Sequence, residues 1–124
     1  MPELRMPSIN KISISGRITK DIELKTTPSG KSVCNFTIAN DRNVKNASGD
    51  FDKETIFVEC QAWGYVAESV TKSAHKGSGV IVDGRLNCRK WTNRDGQEQR
   101  TWEVVAETIH ILEWPAKPNN DEEY

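Results

Sequence analysis

The feature that most constrains this chain is a series of short runs in which apolar and polar residues alternate, interrupted once by a segment of helical period. Successive side chains of an extended strand point to opposite faces. In the run 55–63, Ile56, Val58, Cys60 and Ala62 therefore share one face, and Phe57, Glu59, Gln61 and Trp63 share the other. The run 80–91 places Val80, Val82, Gly84, Leu86 and Cys88 on one face, against Ile81, Asp83, Arg85, Asn87, Arg89 and Trp91. In both runs aromatic rings lie on the polar face. Rings beside arginines on an open sheet form a platform on which bases can stack.

Other segments complete the pattern. Ile12, Ile14, Gly16 and Ile18 alternate with Lys11, Ser13, Ser15 and Arg17, a half-buried first strand. Thr27-Pro28-Ser29-Gly30 marks a turn. Cys34, Phe36 and Ile38 then alternate with polar neighbours as a second strand. The polar stretch from Asn40 to Lys53 reads as a mobile loop or hairpin tip, and Thr55 to Trp63 as the third strand. Val66, Ala67, Val70 and Ala74 form a helical stripe that stops at Gly77 and Gly79. Val80 to Trp91 is the fourth strand. Asp95-Gly96 centres a hairpin turn within Thr92 to Gln99. Arg100 to Leu112 is the fifth strand; Trp102, Val104 and Ala106 fall out of step with Ile109 and Ile111, so a bulge is expected between Val105 and Thr108. Five strands with one short helix between the third and fourth define an all-β chain, an OB-fold Greek-key barrel whose open face binds oligonucleotides. Another five-stranded barrel fits the pattern alone.

At 124 residues the chain accommodates one domain. The reading divides it into an N-terminal extension (1–7), a barrel (8–112) and a short acidic tail (113–124). Met1 to Pro7 lacks the apolar core of a secretory signal, and no stretch approaches the length of a membrane span. A cytoplasmic setting without membrane contact is expected. Net charge is −1, but the tail holds Glu113, Asp121, Glu122 and Glu123 against Lys117 alone, which leaves the body weakly basic. Such a balance permits nucleic-acid binding without proving it. Cys34, Cys60 and Cys88 are too scattered for zinc and fall on inward faces, so they are expected to be buried thiols. His75 and His110 have no ligand cluster or evident acidic orienter. There is no phosphate-binding loop and no nucleophile elbow. No enzymatic role, cofactor or metal is expected.

Further pieces lie in order along the chain: Ile9-Asn10-Lys11, Gly16-Arg17-Ile18-Thr19-Lys20-Asp21, Ser29-Gly30-Lys31, Phe36-Thr37-Ile38-Ala39, Glu54-Thr55, Ala62-Trp63-Gly64, Ala67-Glu68, Lys76-Gly77-Ser78, Asp83-Gly84-Arg85-Leu86, and Arg89-Lys90-Trp91-Thr92 followed by Asp95-Gly96-Gln97. From about residue 8 to residue 112 the chain resembles the bacterial and phage single-stranded DNA-binding protein family. The resemblance implies sequence-independent binding and protection of single-stranded DNA during replication, recombination and repair. It puts Phe57, Trp63 and Trp91 at base-stacking positions, in agreement with the alternation. Lys11, Arg17, Arg85, Arg89 and Lys90 lie on or beside matching motifs as phosphate contacts. Arg42, Lys45, Lys53, Arg94 and Arg100 flank the groove as a second tier. A further family tryptophan is replaced near Val44, and Trp102 has no counterpart; it is either core or groove wall. The resemblance also implies a homotetramer in a bacterial or phage-infected cell, associated with the nucleoid. Asp121, Glu122, Glu123 and Tyr124 resemble a reduced form of the tip that recruits replication and repair enzymes; a merely solvating tail is the other reading. The rival overall is an OB-fold module that docks proteins and has weak or lost DNA binding. An RNA-binding module is a third option.

Overall fold

The computed structural model describes residues 3–112. The strands are β1 (Ile12–Ile18), β2 (Lys25–Thr26), β3 (Ser32–Lys45), β4 (Phe51–Trp63), β5 (Gly79–Thr92) and β6 (Glu98–Ile111), with one helix, α1 (Gly64–Ser73), between β4 and β5. They form one sheet in the order β1-β5-β6-β4-β3-β2, and a pairing of β1 with β3 closes it into a barrel. The expected five-stranded barrel with a helix after its third long strand is thus observed, with β2 as a two-residue addition on β3.

Ile18, Cys34, Phe36, Ile38, Cys60, Ala62, Val80, Val82, Val104 and Ala106 fill the barrel. Helix α1 closes one end by burying Ala67 and Val70. Burial pushes the Cys60 thiol up to about 12, with the Glu59 charge adding to the effect. Cys34 is raised in the same way, by loss of water around the thiolate.

The bulge lies where the broken alternation put it. Asp83 pairs with Thr108 and Gly84 with Ala106, which leaves Glu107 unmatched. Glycine is required at that point, because a Cβ on Gly84 would run into the Val105 carbonyl oxygen.

The segment 40–53 differs from expectation. It is not a loop: β3 and β4 stay paired out to Lys45 and Phe51, and only residues 46–50 turn. Asn46 closes the turn, its Oδ1 accepting from the amides of Ser48 (2.9 Å) and Asp50 (3.0 Å) while Gly49 takes φ 89°. Asn93 repeats the device, accepting from Asp95 (3.0 Å) and Gln97 (2.9 Å) with Gly96 at φ 80°. In each case the side-chain oxygen satisfies turn amides and glycine supplies the left-handed residue.

Both hairpins extend past the barrel, so their ends have no core. Ile56 is accordingly 54% exposed and Leu86 41%, although alternation assigned them to the inner face. Cys88, expected to be buried, is only partly so. Parity is kept while the interior it pointed to has ended.

Candidate nucleic-acid interface

The rings are positioned by the register of the sheet. Phe57 pairs with Ala39, which pairs with Arg17, so these three form one row across β4, β3 and β1. Ala39 offers only a methyl beside the ring, and Phe57 is 67% exposed. Trp63 sits three alternate positions along the same face. Its indole N–H donates to Gln61 Oε1 at 2.8 Å, and Gln61 donates to Asn35 Oδ1 at 3.3 Å. Trp91 shares the outer face of β5 with Arg85, Asn87 and Arg89, and its N–H donates to Thr101 Oγ1 at 2.9 Å. Each indole is thus tied at its polar edge by a neighbour on the same sheet. This satisfies the donor and restrains the ring while leaving much of it in water.

β6 joins the two ring-bearing strands. Gln61 pairs with Val105, which pairs with Arg85, so the face of Trp63 and Phe57 is continuous with that of Arg85 and Trp91. The outward parity of β4 also includes Phe51, 68% exposed and opposite Lys45 at the hairpin tip. Sequence reading missed Phe51 because it ended the strand too early. Its signal was parity: Phe51, Phe57 and Trp63 are all even steps apart.

The expected cations divide into groups. Arg85 is exposed on the ring face, and Lys45 and Lys53 lie on the same face of the other hairpin. Arg89 is also on the ring face but stands 3.8 Å from Glu103, which is buried and receives a 3.3 Å bond from Asn87. Arg17 donates to the Gly77 carbonyl at 2.9 Å, which turns it toward the α1–β5 connection. Lys11 borders a groove of about 470 Å³ with Asp83 and Glu107. Lys53 pairs with Asp41 at 3.6 Å; the Thr55 hydroxyl first and then Lys53 hold the Asp41 carboxyl below the usual carboxylate range. Arg42 points to the opposite face and pairs with Glu54 at 3.3 Å. Lys90 and Arg100 pair with each other on the reverse face of the β5–β6 ribbon, and Arg94 stands exposed in its turn. Val44 also lies on the reverse face, opposite Asp52. Tip residues 121–124 fall outside the described residues.

One expectation about the histidines changes. His110 does have an acidic neighbour, with Nε2 3.4 Å from Asp83 Oδ2, because the register past the bulge sets β6 residue 110 beside β5. Among the described residues, no group of three or more His, Cys, Asp or Glu could hold a metal ion.

A small closed barrel with a continuous outer face of tethered rings and interspersed arginines defines an OB-fold of the oligonucleotide-binding kind. The model of the Single-strand binding protein family matches residues 9–112. Single-stranded DNA-binding protein 1 of Streptococcus pyogenes is 42% identical over 105 residues, which cover 85% of this chain and 79% of that protein. Single-stranded DNA-binding protein A of Bacillus subtilis is also 42% identical over 105 residues, with 85% of this chain and 60% of that protein covered. Among solved structures, the Plasmodium falciparum SSB complex with ssDNA superposes with a TM-score of 0.78 at 23% identity, covering 89% of this chain and all of that one, a likeness of fold. The chain belongs to the single-strand binding protein family.

Proposed function

We propose that this protein binds single-stranded DNA without regard to sequence and protects it during replication, recombination and repair. The observation that carries the reading is the ring face: Phe57, Trp63 and Trp91 on one continuous surface, exposed where an ordinary packing role would cover them. Every base offers a π-face, so stacking is tolerant of sequence, and each ring contributes roughly 1–3 kcal/mol. Phe51 extends the same row. Duplex DNA hides its base faces and is rejected. Arg85 contacts phosphates directly, and Arg89 does so while held by Glu103. Stacking and counterion release together drive strand opening, so no nucleotide hydrolysis is required.

The relatives' names support this reading, as each is called a single-stranded DNA-binding protein. By family resemblance the working unit is a homotetramer acting in the cytoplasm of a bacterial or phage-infected cell. The acidic tip at residues 121–124 would recruit replication and repair enzymes. No helix among the described residues is long and apolar enough to cross a membrane.

Titration with oligo-dT, and separately with duplex of equal length, tests the proposal through intrinsic tryptophan fluorescence. Strong quenching by oligo-dT alone, weakening as salt rises, is expected. An equal response to duplex, or none to either, would overturn it in favour of a protein-docking module. Tighter binding of oligo-U than of oligo-dT would redirect it to RNA.

A further inference from the structure

Trp102 is 58% exposed, and it lies on the face opposite Trp91. Its position follows from the register. Leu86 pairs with Val104, Cys88 with Trp102 and Lys90 with Arg100, and all six side chains share the parity that points into the barrel further down. Val104 is buried in the core, whereas Trp102, one alternate step outward, is past the barrel's end. β6 pairs with β4 only at Cys60–Val104 and Gln61–Val105, and beyond the buried Glu103, from Trp102 outward, the β5–β6 hairpin is a two-stranded ribbon.

Each face of this ribbon combines an aromatic ring with cations. One presents Trp91 and Arg89, the other Trp102 with Lys90 and Arg100. Lys90 and Arg100 are exposed and have no carboxylate partner among the described residues, whereas Arg89 has Glu103. Glu98 is the one carboxylate on the reverse face, opposite Thr92 at the tip. An exposed indole costs free energy in water unless something covers it. Two unpaired cations beside it favour a polyanion with flat apolar surfaces over an apolar protein patch.

We propose that Trp102, Lys90 and Arg100 form a second stacking strip, on the reverse face of the β5–β6 ribbon, that engages a later segment of the same single strand after it has crossed the ring face. The inference rests on the single-strand reading above. The unpaired edge of β6 from Glu98 to Glu103 leaves the ribbon's side open for the strand to pass round. Short oligonucleotides occupy the ring face alone; long ones occupy both.

The test uses the full chain labelled with 5-fluorotryptophan, whose four fluorine resonances are assigned by single Trp→Phe variants. Oligo-dT of increasing length is then added. The Trp63 and Trp91 resonances are expected to move with short oligomers and that of Trp102 only with long ones. In parallel, Trp102→Ala binds short oligo-dT like the parent but long oligo-dT about tenfold more weakly, and Trp102→Phe restores most of the loss. The pair Lys90→Ala and Arg100→Ala lowers the salt slope for long oligomers by about 1.4.

A Trp102 resonance that stays fixed at every length while Trp63 and Trp91 move overturns the second strip and leaves the ring face standing. No movement of any resonance overturns both. A Trp102 resonance that responds to protein concentration but not to DNA overturns the strip and identifies a contact between copies of the chain. If Trp102→Ala fails to fold, the fluorine readout on the unaltered sequence still decides.

Discussion

The β3–β4 and β5–β6 hairpins are built alike and charged differently. Each projects past the barrel and turns through an asparagine that caps its own loop, with a glycine three residues later. The side chains diverge. From Asn40 to Ile56 there are three basic residues against four acidic ones, and Arg42 and Lys53 are each held by a carboxylate on the facing strand. From Arg85 to Val104 there are five basic residues against three acidic ones, and only Arg89 has an ion-pair partner among the described residues. One backbone plan thus yields one ribbon that largely neutralises its own charge and one whose cations are mostly without ion-pair partners among the described residues. The first contributes rings, Phe51 and Phe57; the second contributes rings and most of the free cations.

The largest effect expected from this contrast comes from the rings both hairpins share. Replacing Phe57, Trp63 and Trp91 by alanine together should weaken oligo-dT binding by about a thousandfold or more, since each stack is worth roughly 1–3 kcal/mol. Fluorescence anisotropy of a labelled oligomer measures it, with sedimentation to show that the assembly survives. A loss confined to the Trp91 change would break the idea of one continuous face.

The hairpins also differ in regularity. β3 and β4 pair without interruption from Val33–Trp63 to Lys45–Phe51, whereas β5 and β6 shift register at Gly84. Gly84→Ala is therefore expected to cost roughly 1–3 kcal/mol of unfolding free energy in urea melts, by forcing a methyl against the Val105 carbonyl.

The thiols at the two hairpin bases give a third contrast. Cys60 is buried with its pKa pushed up to about 12 from an ordinary 9.0, whereas Cys88 is partly exposed. Below pH 9 both folded and unfolded chains keep the Cys60 proton, so its contribution is fully present. Between 9 and 12 only the unfolded chain loses the proton, and stability should fall by up to about 1.4 kcal/mol per pH unit. Thermal melts across that window should show a shallower decline for Cys60→Ala. A thiol reagent at neutral pH should modify Cys88 first.

The smallest effect separates the two charge plans most directly. Arg85→Ala with Arg94→Ala should flatten the salt dependence of oligo-dT binding by about 1.4, near 0.7 for each phosphate that is no longer neutralised. Arg42→Ala with Lys53→Ala should leave that slope nearly unchanged, because those cations are already neutralised.

The contrast between barrel and ribbon also explains what could be read from the chain. Inside the barrel one face of each strand meets a core, so apolar alternation in 12–18, 55–63 and 80–91 marked the strands, and the misaligned stripes of 102–111 marked the bulge. Along residues 40–53 both faces of the ribbon meet water. Composition there carries no period, and two strand ends passed for a loop. Ile56, Leu86 and Cys88 were assigned inward by parity, which has no knowledge of where a barrel stops. Trp102 was ambiguous for the same reason: its parity is that of the core and its position is beyond it. The outward placement of Phe57, Trp63 and Trp91 was legible because outward aromatics are rare enough on a sheet to stand out. The partners of the cations were not, since Asp41, Glu54 and Glu103 reach them only across strands.

The two seams that close the barrel are short. β1 meets β3 through Arg17–Ala39 and Ile18–Ile38, and β4 meets β6 through Cys60–Val104 and Gln61–Val105. The β4–β6 seam and the β1–β5 pairing join residues far apart in the chain, whereas each hairpin starts from near neighbours at its turn. Loop-closure entropy must be met before distant contacts return anything. Each hairpin is therefore expected to zip from its own asparagine turn before the β4–β6 and β1–β5 pairings form. The surface on which a strand of DNA would lie is continuous across the β4–β6 seam, so the ring face is complete only once two segments distant in the chain have met.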